Sequence, residues 1–529
     1  MTRNIVDQFM GSFAMKTKPA QTRQVPNGDA TRKSTANGFS PYGSMIVSVR
    51  TMVCCGIALC AAAPLPSHAQ SVGTAASSPA IVYVDCAATY RGNGSAARPY
   101  WRITDALKKV RALRRSTNAR LTIRVAAGEC SGNFETQPTG QETRPPELLP
   151  LVLNVPNLTL HGAGVMEYAD GYPVAPRAGT ATTLTVDTEH LSDIPNPMIY
   201  VGPTTDGGRA DGTVIEGFVI DGFNAWYGLF ITRTQRLTVR HNVVTDTWLG
   251  TISGSDCSGR IVGNVVHGGS PGMLFAAGTS ENPSRLFISG NSATDNVEGV
   301  GFFGDSTVTD QLDMGANPLE ELPYPINPTT SQMGNHIEVD FEGNDVSSNF
   351  IGLNFTLLGA ARYPYAKTGY ISANVHDNRF IDNAYPFVVD EGFVYRGTSS
   401  YWTDPNPDPT NFPEGFFGFL AGPFITHGPF DGPYSGVVTA SFEGNVWSNP
   451  NIAPIAPAML TFSYFDVYDP ATGAPNPSLV PVYTYMRNSR LNFVDKDGLF
   501  SQPGVIRDDL RLYDPFDGTL LNNQTRIRH

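Results

Sequence analysis

Charge is scarce in this 529-residue chain: Asp, Glu, Lys and Arg together make up 16% of it. Long Glu/Lys/Leu-rich runs are absent, whereas Gly (53) and Pro (41) are plentiful. That excludes a protein built mainly of surface helices and favours strands joined by turns. Positive charge is shorter still. The formal net charge is −12, and beyond residue 69 there are 29 Lys/Arg against 46 Asp/Glu, a balance of −17. No nucleic-acid partner is expected, and no anionic membrane surface, because both need a basic face. An acidic substrate would need a local basic patch or a bridging metal ion. No stretch after residue 70 has the length of a membrane span. No C-x-x-C and no His pair at i, i+4 occurs, so a zinc site has no support.

Residues 45–69 read MIVSVRTMVCCGIALCAAAPLPSHA. Arg50 supplies a positive start, Thr51 to Ala63 a short apolar run, and Ser67-His68-Ala69 the small residues of a cleavage site. A signal peptide over 45–69, cut after Ala69, implies a secreted or periplasmic protein. Residues 1–44 are a polar, aperiodic leader, and Met45 is the expected true start. Three cysteines remain beyond the cut: Cys86, Cys130 and Cys257. Cys86 and Cys130 each follow an expected strand, IVYVD and LTIRVAAGE, and are paired as a disulfide, which an exported compartment permits. Cys257 is left over, and a lone thiol is more often inert than catalytic.

One asparagine orders the rest of the chain. LTVRHNVVTDTWLGTISGS centres on Asn242, RIVGNVVHGGSPGMLFAAG on Asn264 and LFISGNSATDNVEGVGFFGDS on Asn291. IEVDFEGNDVSSNFIGLNFTL, ISANVHDNRFIDNAYPFVVDE and VTASFEGNVWSNPNIAPI centre on Asn344, Asn378 and Asn445. An earlier unit, VIEGFVIDGFNAWYGLFIT, puts Gly217 at that place. Three residues before the Asn stands Val239, Ile261, Ile288, Phe341, Val375 or Phe442. Two after it stands Val244, Val266, Ala293, Val346, Phe380 or Trp447. About eight after it Gly250, Gly272, Gly299 or Gly352 opens a third apolar strand. No such unit could bury its apolar face alone, so the units stack, and the Asn amides should bond copy to copy.

This pattern resembles the right-handed parallel β-helix of the pectate-lyase-like superfamily, over most of residues 81–465. VYVD at 82–85, GNGSAARPYWRITDAL at 92–107 and TIRVAAGE at 122–129 look like the opening of secreted β-helix proteins. NLTLHGAG at 157–164 looks like the first full turn. The resemblance implies an all-β solenoid with a capping helix from Ile103 to Leu113 and long loops on one edge. The expected organisation is an N-terminal cap and first strands over 81–130, the β-helix over 131–465, and last coils with a C-terminal cap over 466–529. This fold hosts lyases, hydrolases, epimerases and non-enzymes, so it leaves activity open.

Two motifs compete with that reading and lose. Gly268 to Gly272, GGSPG, matches the G-x-S-x-G of a hydrolase elbow, but an elbow needs a helix after the serine, and Ser270 falls in a turn between strands. His267 is then a turn residue. Gly92-Asn93-Gly94 with Ala97 mimics a dinucleotide loop in a chain that lacks βαβ units.

The loops that follow the third strands swell late in the array, at 306–335, 360–369 and 393–436. Long loops sent from one edge of a repeat are usually functional. Their floor is GVGFFGDS, GLNFTLLG and YPFVVDEG, with Val300, Phe302, Leu353, Phe355 and Val388 expected inside and Phe303, Asn354, Thr356 and Phe387 outside. Asp305, Asp390 and Glu391 stand at the loop edge. The loops add Arg362, Tyr363, Tyr365, Lys367, Tyr395, Arg396, Tyr401, Trp402 and His427. Carboxylates, bases and aromatics together suit carbohydrate chemistry. The candidate catalytic residues are Asp305, Asp390, Glu391, Arg362, Lys367, Arg396 and His427. The candidate substrate-binding residues are Asn354, Phe303, Phe387, Tyr363, Tyr365, Tyr395 and Trp402. The carboxylates could equally pair with Arg396 or cap loop amides. Glu338, Asp340 and Glu342 alternate on one strand and could bind Ca²⁺, a hard ion that takes several oxygens, although a solvated polar face explains them as well. No cofactor is required.

The active-site signatures of the resembled superfamily are missing: no polygalacturonase Asp set with Gly-His-Gly (Thr426-His427-Gly428 is an echo), no epimerase Asp-Pro-His and no pectate-lyase calcium pattern. Two functions stay open: a polysaccharide lyase or glycoside hydrolase, and a non-catalytic carbohydrate-binding or surface protein. The expected partner in both is a polysaccharide.

Overall fold

The computed structural model describes residues 80–134, 146–186, 197–204, 209–223, 225, 227–247, 250–269, 271–278, 282–304, 306–307, 333–357, 368–390, 435–460, 489–507, 520 and 522–529. They form a parallel β-helix. Sheet I has twelve strands, and sheets II and III have ten each. The chain visits them in turn. In one coil it runs through Leu237–Arg240 in sheet I, Val243–Thr245 in sheet II and Gly250–Ser255 in sheet III, then returns to sheet I at Gly259–Val262. Every pairing between coils in these sheets is parallel, and each strand's neighbours come from the coils before and after it. Crossovers between parallel strands are right-handed almost without exception.

The repeat columns read from sequence are the columns of the core. Val239, Ile261, Ile288, Phe341, Val375 and Phe442 pair in register along sheet I, and all six are fully buried. Val244, Val266, Ala293, Val346 and Phe380 do the same in sheet II, and Trp447 ends that column stacked on Phe380 at 4.1 Å. One position is corrected. Glu216 pairs with Arg240, so Gly217 lies opposite His241 and it is Phe218 that stands opposite Asn242. Gly217 occupies the left-handed corner that precedes each Asn (φ 76°), a corner that His241, Gly263, Gly290, Gly343, Asp377 and Gly444 fill in later coils. Glycine suits it because a side chain at positive φ is strained.

The asparagines form the expected ladder at the corner between sheets I and II. Each Nδ2 donates to the Oδ1 of the next copy at 2.9–3.1 Å, from Asn242 through Asn264, Asn291, Asn344 and Asn378 to Asn445. The backbone N–H of each ladder residue donates to that same oxygen, and Nδ2 also donates to a carbonyl of the preceding coil. The ladder ends on Asp497, whose Oδ2 accepts from Asn445 Nδ2 at 2.7 Å.

A second ladder went unread in the sequence. Asn296, Asn349, Asn383 and Asn449 line the corner between sheets II and III. Their signal is present, since each follows a first-ladder Asn by four or five residues. This second ladder explains the glycines that open sheet III. A Cβ at Gly299 would sit 2.8 Å from Asn349 Nδ2, 2.7 Å from Val346 and 2.8 Å from the Gly352 carbonyl. Gly299→Ala is therefore expected to cost about 2–3 kcal/mol, the scale of an overpacked core, as read from urea unfolding midpoints. A change below about 0.5 kcal/mol would show that the corner can open freely.

The N-terminal end is closed by the helix α1, Ile103–Arg114. Ile103, Ala106, Leu107 and Val110 recur at helical spacing and are buried in the common core. The disulfide between Cys86 and Cys130 is present. Cys257 is free and fully buried, and burial pushes its thiol far above the usual range, so it is unreactive. Residues 1–69, with the proposed leader and signal peptide, lie outside the described residues. Among the described residues no helix is long and apolar enough to cross a membrane.

Candidate functional site

Apart from their end residues (306–307, 333–335, 368–369 and 435–436), the loops expected to wall a cleft lie outside the described residues. With them lie Asp305, Glu391, Arg362, Tyr363, Tyr365, Lys367, Tyr395, Arg396, Tyr401, Trp402 and His427. Ser270 also lies outside, but its flanks are strands, Val265–His267 before it and Pro271–Ala276 after it. A strand where an elbow needs a helix removes the elbow reading of GGSPG, and His267, expected in a turn, ends the strand before it.

The expected floor, on sheet III, is described. Phe303 pairs with Thr356, and Thr356 with Asp390, so these three stand on successive rungs. Val300, Phe302, Leu353 and Phe355 point into the core as expected. In the third strand the parity is reversed. Leu353 pairs with Phe387 and Asn354 with Val388. Phe387 is therefore a core residue, fully buried, with edge-on contacts to Phe355 and Phe442, and it cannot touch a substrate. Val388 takes the outer side, in a separate apolar cluster with Ile351 and Met459. The run Phe387-Val388-Val389 has no alternation to read, and a one-residue slip exchanges the two faces.

Asn354 does face outward, yet it is only 1% exposed, with Nδ2 donating to Thr356 Oγ1 at 3.0 Å. Beside it lies Glu298, also 1% exposed, which the sequence reading passed over. Its carboxylate folds over Gly301. A Cβ there would stand 1.8 Å from Oε1, so the glycine makes room for the acid. A glycine inside an apolar strand was the available signal. The outer face of sheet III is thus a covered surface with a polar centre at Glu298, Asn354 and Thr356. Apolar patches lie to either side, the other one formed by Leu148, Val152, Tyr200 and Phe230.

Sheet I presents the opposite kind of surface. A groove of about 700 Å³ runs along its outer face. Its floor is a single in-register column, Arg260, Phe287, Asp340, Asn374, Ser441 and Val494. A second column, Arg285, Glu338, Ser372 and Thr439, flanks it. The groove therefore follows the axis of the rod, with a fresh side chain about every 4.8 Å. The Arg260 guanidinium stacks over the Phe287 ring at 4.4 Å. Arg285 Nε donates to Glu338 Oε2 at 2.8 Å. Asn374 links Asp340 to Ser441, accepting from the serine hydroxyl at 2.7 Å and donating to the carboxylate at 3.2 Å.

His376 borders the groove between two carboxylates, 3.0 Å from Asp340 and 3.1 Å from Asp377. Burial alone would lower its basicity, but the hydrogen bonds to Asp377 and Asp340 carry it above the ordinary value. These contacts also place the proposed calcium ligands. Glu338, Asp340 and Glu342 alternate along His336–Glu342 and face out. They do not converge. Glu338 is tied to Arg285 and Asp340 to His376, and among the described residues the only three groups close enough to share an ion are Cys86, Cys130 and Glu147, two of them in the disulfide.

No family model matches the sequence, and no curated protein matches it either. Among solved structures the chain is similar to the A-module of a mannuronan C-5 epimerase from Azotobacter vinelandii, at 12% identity over 84% of this chain and 91% of that one, with a TM-score of 0.35. It is also similar to a DFA-IIIase from Arthrobacter chlorophenolicus A6, at 12% identity over 81% and 96% with a TM-score of 0.31, and to a pectate lyase, at 10% identity over 70% and 78% with a TM-score of 0.25.

Proposed function

We propose that this is an exported protein that takes an extended polysaccharide chain along its β-helix and acts on it as a lyase or glycoside hydrolase. The axial groove on sheet I carries the reading. A linear polymer laid along the rod meets a hydroxyl, an amide, a carboxylate, an aromatic face and a guanidinium on successive rungs of one column. Stacking on Phe287 and hydrogen bonds to Asp340, Asn374 and Ser441 suit a sugar chain, which offers both apolar ring faces and hydroxyls. Residues 45–69, with the features of a signal peptide, support export. Asp390 stands on sheet III, a different face from the groove, so it and the segments around it are a separate candidate reaction centre; Ca²⁺ stays a candidate ligand.

The second reading is a non-catalytic binder, and one observation favours it. The groove's charges are already satisfied within the protein: Glu338 by Arg285, Asp340 by His376 and Asn374. Paired charges hold shape and do not need to exchange protons.

The test is a panel of polysaccharides incubated with the protein beginning at Gln70, with and without Ca²⁺. Unsaturated-uronate absorbance and reducing ends would be followed together. Growth of absorbance identifies a lyase, and reducing ends alone a hydrolase. Retention on an immobilised glycan without turnover identifies the binder. Phe287→Ala should weaken retention about tenfold in either case, a loss of the size expected when a stacked aromatic is removed. Unchanged retention in that variant would remove the groove from the reading, and silence across the panel with no retention would overturn it.

A further inference from the structure

At the N-terminal end of sheet I, three rungs from the groove, a separate concavity of about 530 Å³ opens beside the Gly/Ser loop 92–99. Tyr83, Asp85, Arg124 and His161 line it. Tyr83 pairs with Arg124, and Arg124 with His161, so their side chains leave the same face on consecutive rungs. The column continues away from the pocket with Glu216 and Arg240.

His161 is held in one orientation. Its Nδ1 lies 2.8 Å from Glu216 Oε1, and the other carboxylate oxygen accepts from Arg240 Nε at 2.5 Å. Glu216 stays ionised: the hydrogen bond to His161, followed by that from Arg240, holds its carboxyl down to about 2 against the effect of burial. A carboxylate fixed on Nδ1 sets the tautomer with the proton there and leaves Nε2 as the free ring atom. Asp85, the one acid lining the pocket, has Oδ1 occupied by the Ala87 N–H at 2.8 Å. The charged groups facing His161 are thus Arg124 on one side and Glu216, itself neutralised by Arg240, on the other. Asp85 completes the charged lining.

We propose that this pocket is a second ligand site that takes a small oxyanion, the carboxylate or phosphate group of a soluble ligand. Arg124 supplies the cationic fork, and the Nε2 edge of His161, when protonated, a second donor about one rung away. The Tyr83 hydroxyl lies one rung beyond Arg124. Glu216 is a positioning residue: it acts on the ligand only through the imidazole. The site stands apart from the polysaccharide reading, because it needs neither the groove nor a polymer.

The experiment is a titration of the protein with inorganic phosphate and, separately, lactate. It is followed by calorimetry and by the imidazole resonances of ¹⁵N-histidine-labelled protein, with His161 identified from His161→Gln. Saturable binding that moves the His161 signals is the expected result. A response to phosphate alone assigns a phosphate group, to lactate alone a carboxylate, and to both a general oxyanion. Arg124→Gln should weaken the affinity at least tenfold. Glu216→Gln, which leaves Arg124 in place, should weaken it less and should move the His161 resonances of the ligand-free protein. Glu216→Asp should restore those resonances in part. No saturation by either anion up to about 50 mM, a range that covers millimolar affinities, would overturn the proposal. So would binding that Arg124→Gln leaves unchanged.

Discussion

Replacing Asn344 with alanine is expected to cost about 3–5 kcal/mol of stability, because it orphans several buried groups at once. Asn344 is fully buried at the middle of the first ladder. Its Oδ1 accepts from the backbone N–H of Asn291 at 3.0 Å and from its side-chain amide at 2.9 Å. Its own Nδ2 donates to the Ile288 carbonyl and to Asn378 Oδ1, each at 2.9 Å. Alanine leaves all four partners without that contact in a corner that water does not reach. Asn344→Asp keeps the acceptor but faces two oxygens with a carboxylate, so it should be no milder. Asn374→Ala, on the exposed column of sheet I, is the matched control and should stay within about 0.5 kcal/mol. Urea unfolding followed by circular dichroism reads all three. A loss below about 1 kcal/mol for Asn344→Ala would mean that the ladder is decoration on a core that stands without it.

The second large effect is a dependence of stability on pH that resides in one residue. Glu147 is buried beneath the N-terminal cap. Its carboxylate accepts from the backbone N–H of Ile103 at 2.5 Å, and from the N–H and hydroxyl of Thr104 at 3.0 and 2.9 Å. It thereby caps α1 from a strand more than forty residues away, a role the helix's own Arg102 side chain does not fill. Burial pushes its carboxyl up to about 7 from an ordinary 4.5, and the Thr104 and Ile103 bonds and Arg102 only partly offset this. The folded protein therefore holds a proton between these two values that the unfolded chain has released. The contribution is fully present below pH 4.5, shrinks as the pH rises and is gone above about 7. The full difference corresponds to ~3 kcal/mol.

Glu147→Gln cannot titrate, so the stability of the wild type relative to this variant should fall between about pH 4.5 and pH 7 and level off above that. Melting temperatures of the two proteins across that range test it. Parallel curves would show that the capping bonds outweigh burial and that Glu147 stays ionised throughout.

What could be read from the sequence was whatever repeats. Val239, Ile261, Ile288 and their successors recur at one distance from an asparagine, and that recurrence is the sheet. Gly217 was placed where Phe218 stands because the first coil lacks the Asn that fixes the count. The second ladder was within reach and was overlooked in favour of the glycines it makes necessary. Phe387 was misassigned because three consecutive apolar residues carry no alternation, and only pairing with Leu353 decides its face.

The functional groups were harder to read for a different reason. Glu147 meets Ile103, and His161 meets Glu216, 55 residues on, through contacts made once. A contact made once leaves no periodic trace in the chain. Glu298 was invisible as a carboxylate and legible only through the glycine beneath it.

The first ladder also has a direction. Every amide gives its hydrogens toward the C-terminal neighbour and to the coil behind, and the final residue, Asp497, can only receive. An asparagine at 497 would present an unspent donor to whatever follows. The aspartate is a chain terminator in the sense a polymer chemist would use, a unit that accepts the growing end and offers no new one. The ladder thus ends at one position, although sheet I adds one more rung beyond it at Gln524–Arg528. A longer rod could be built by inserting whole coils at any rung between Asn242 and Asn445, each bringing its own asparagine, while the terminator stays last.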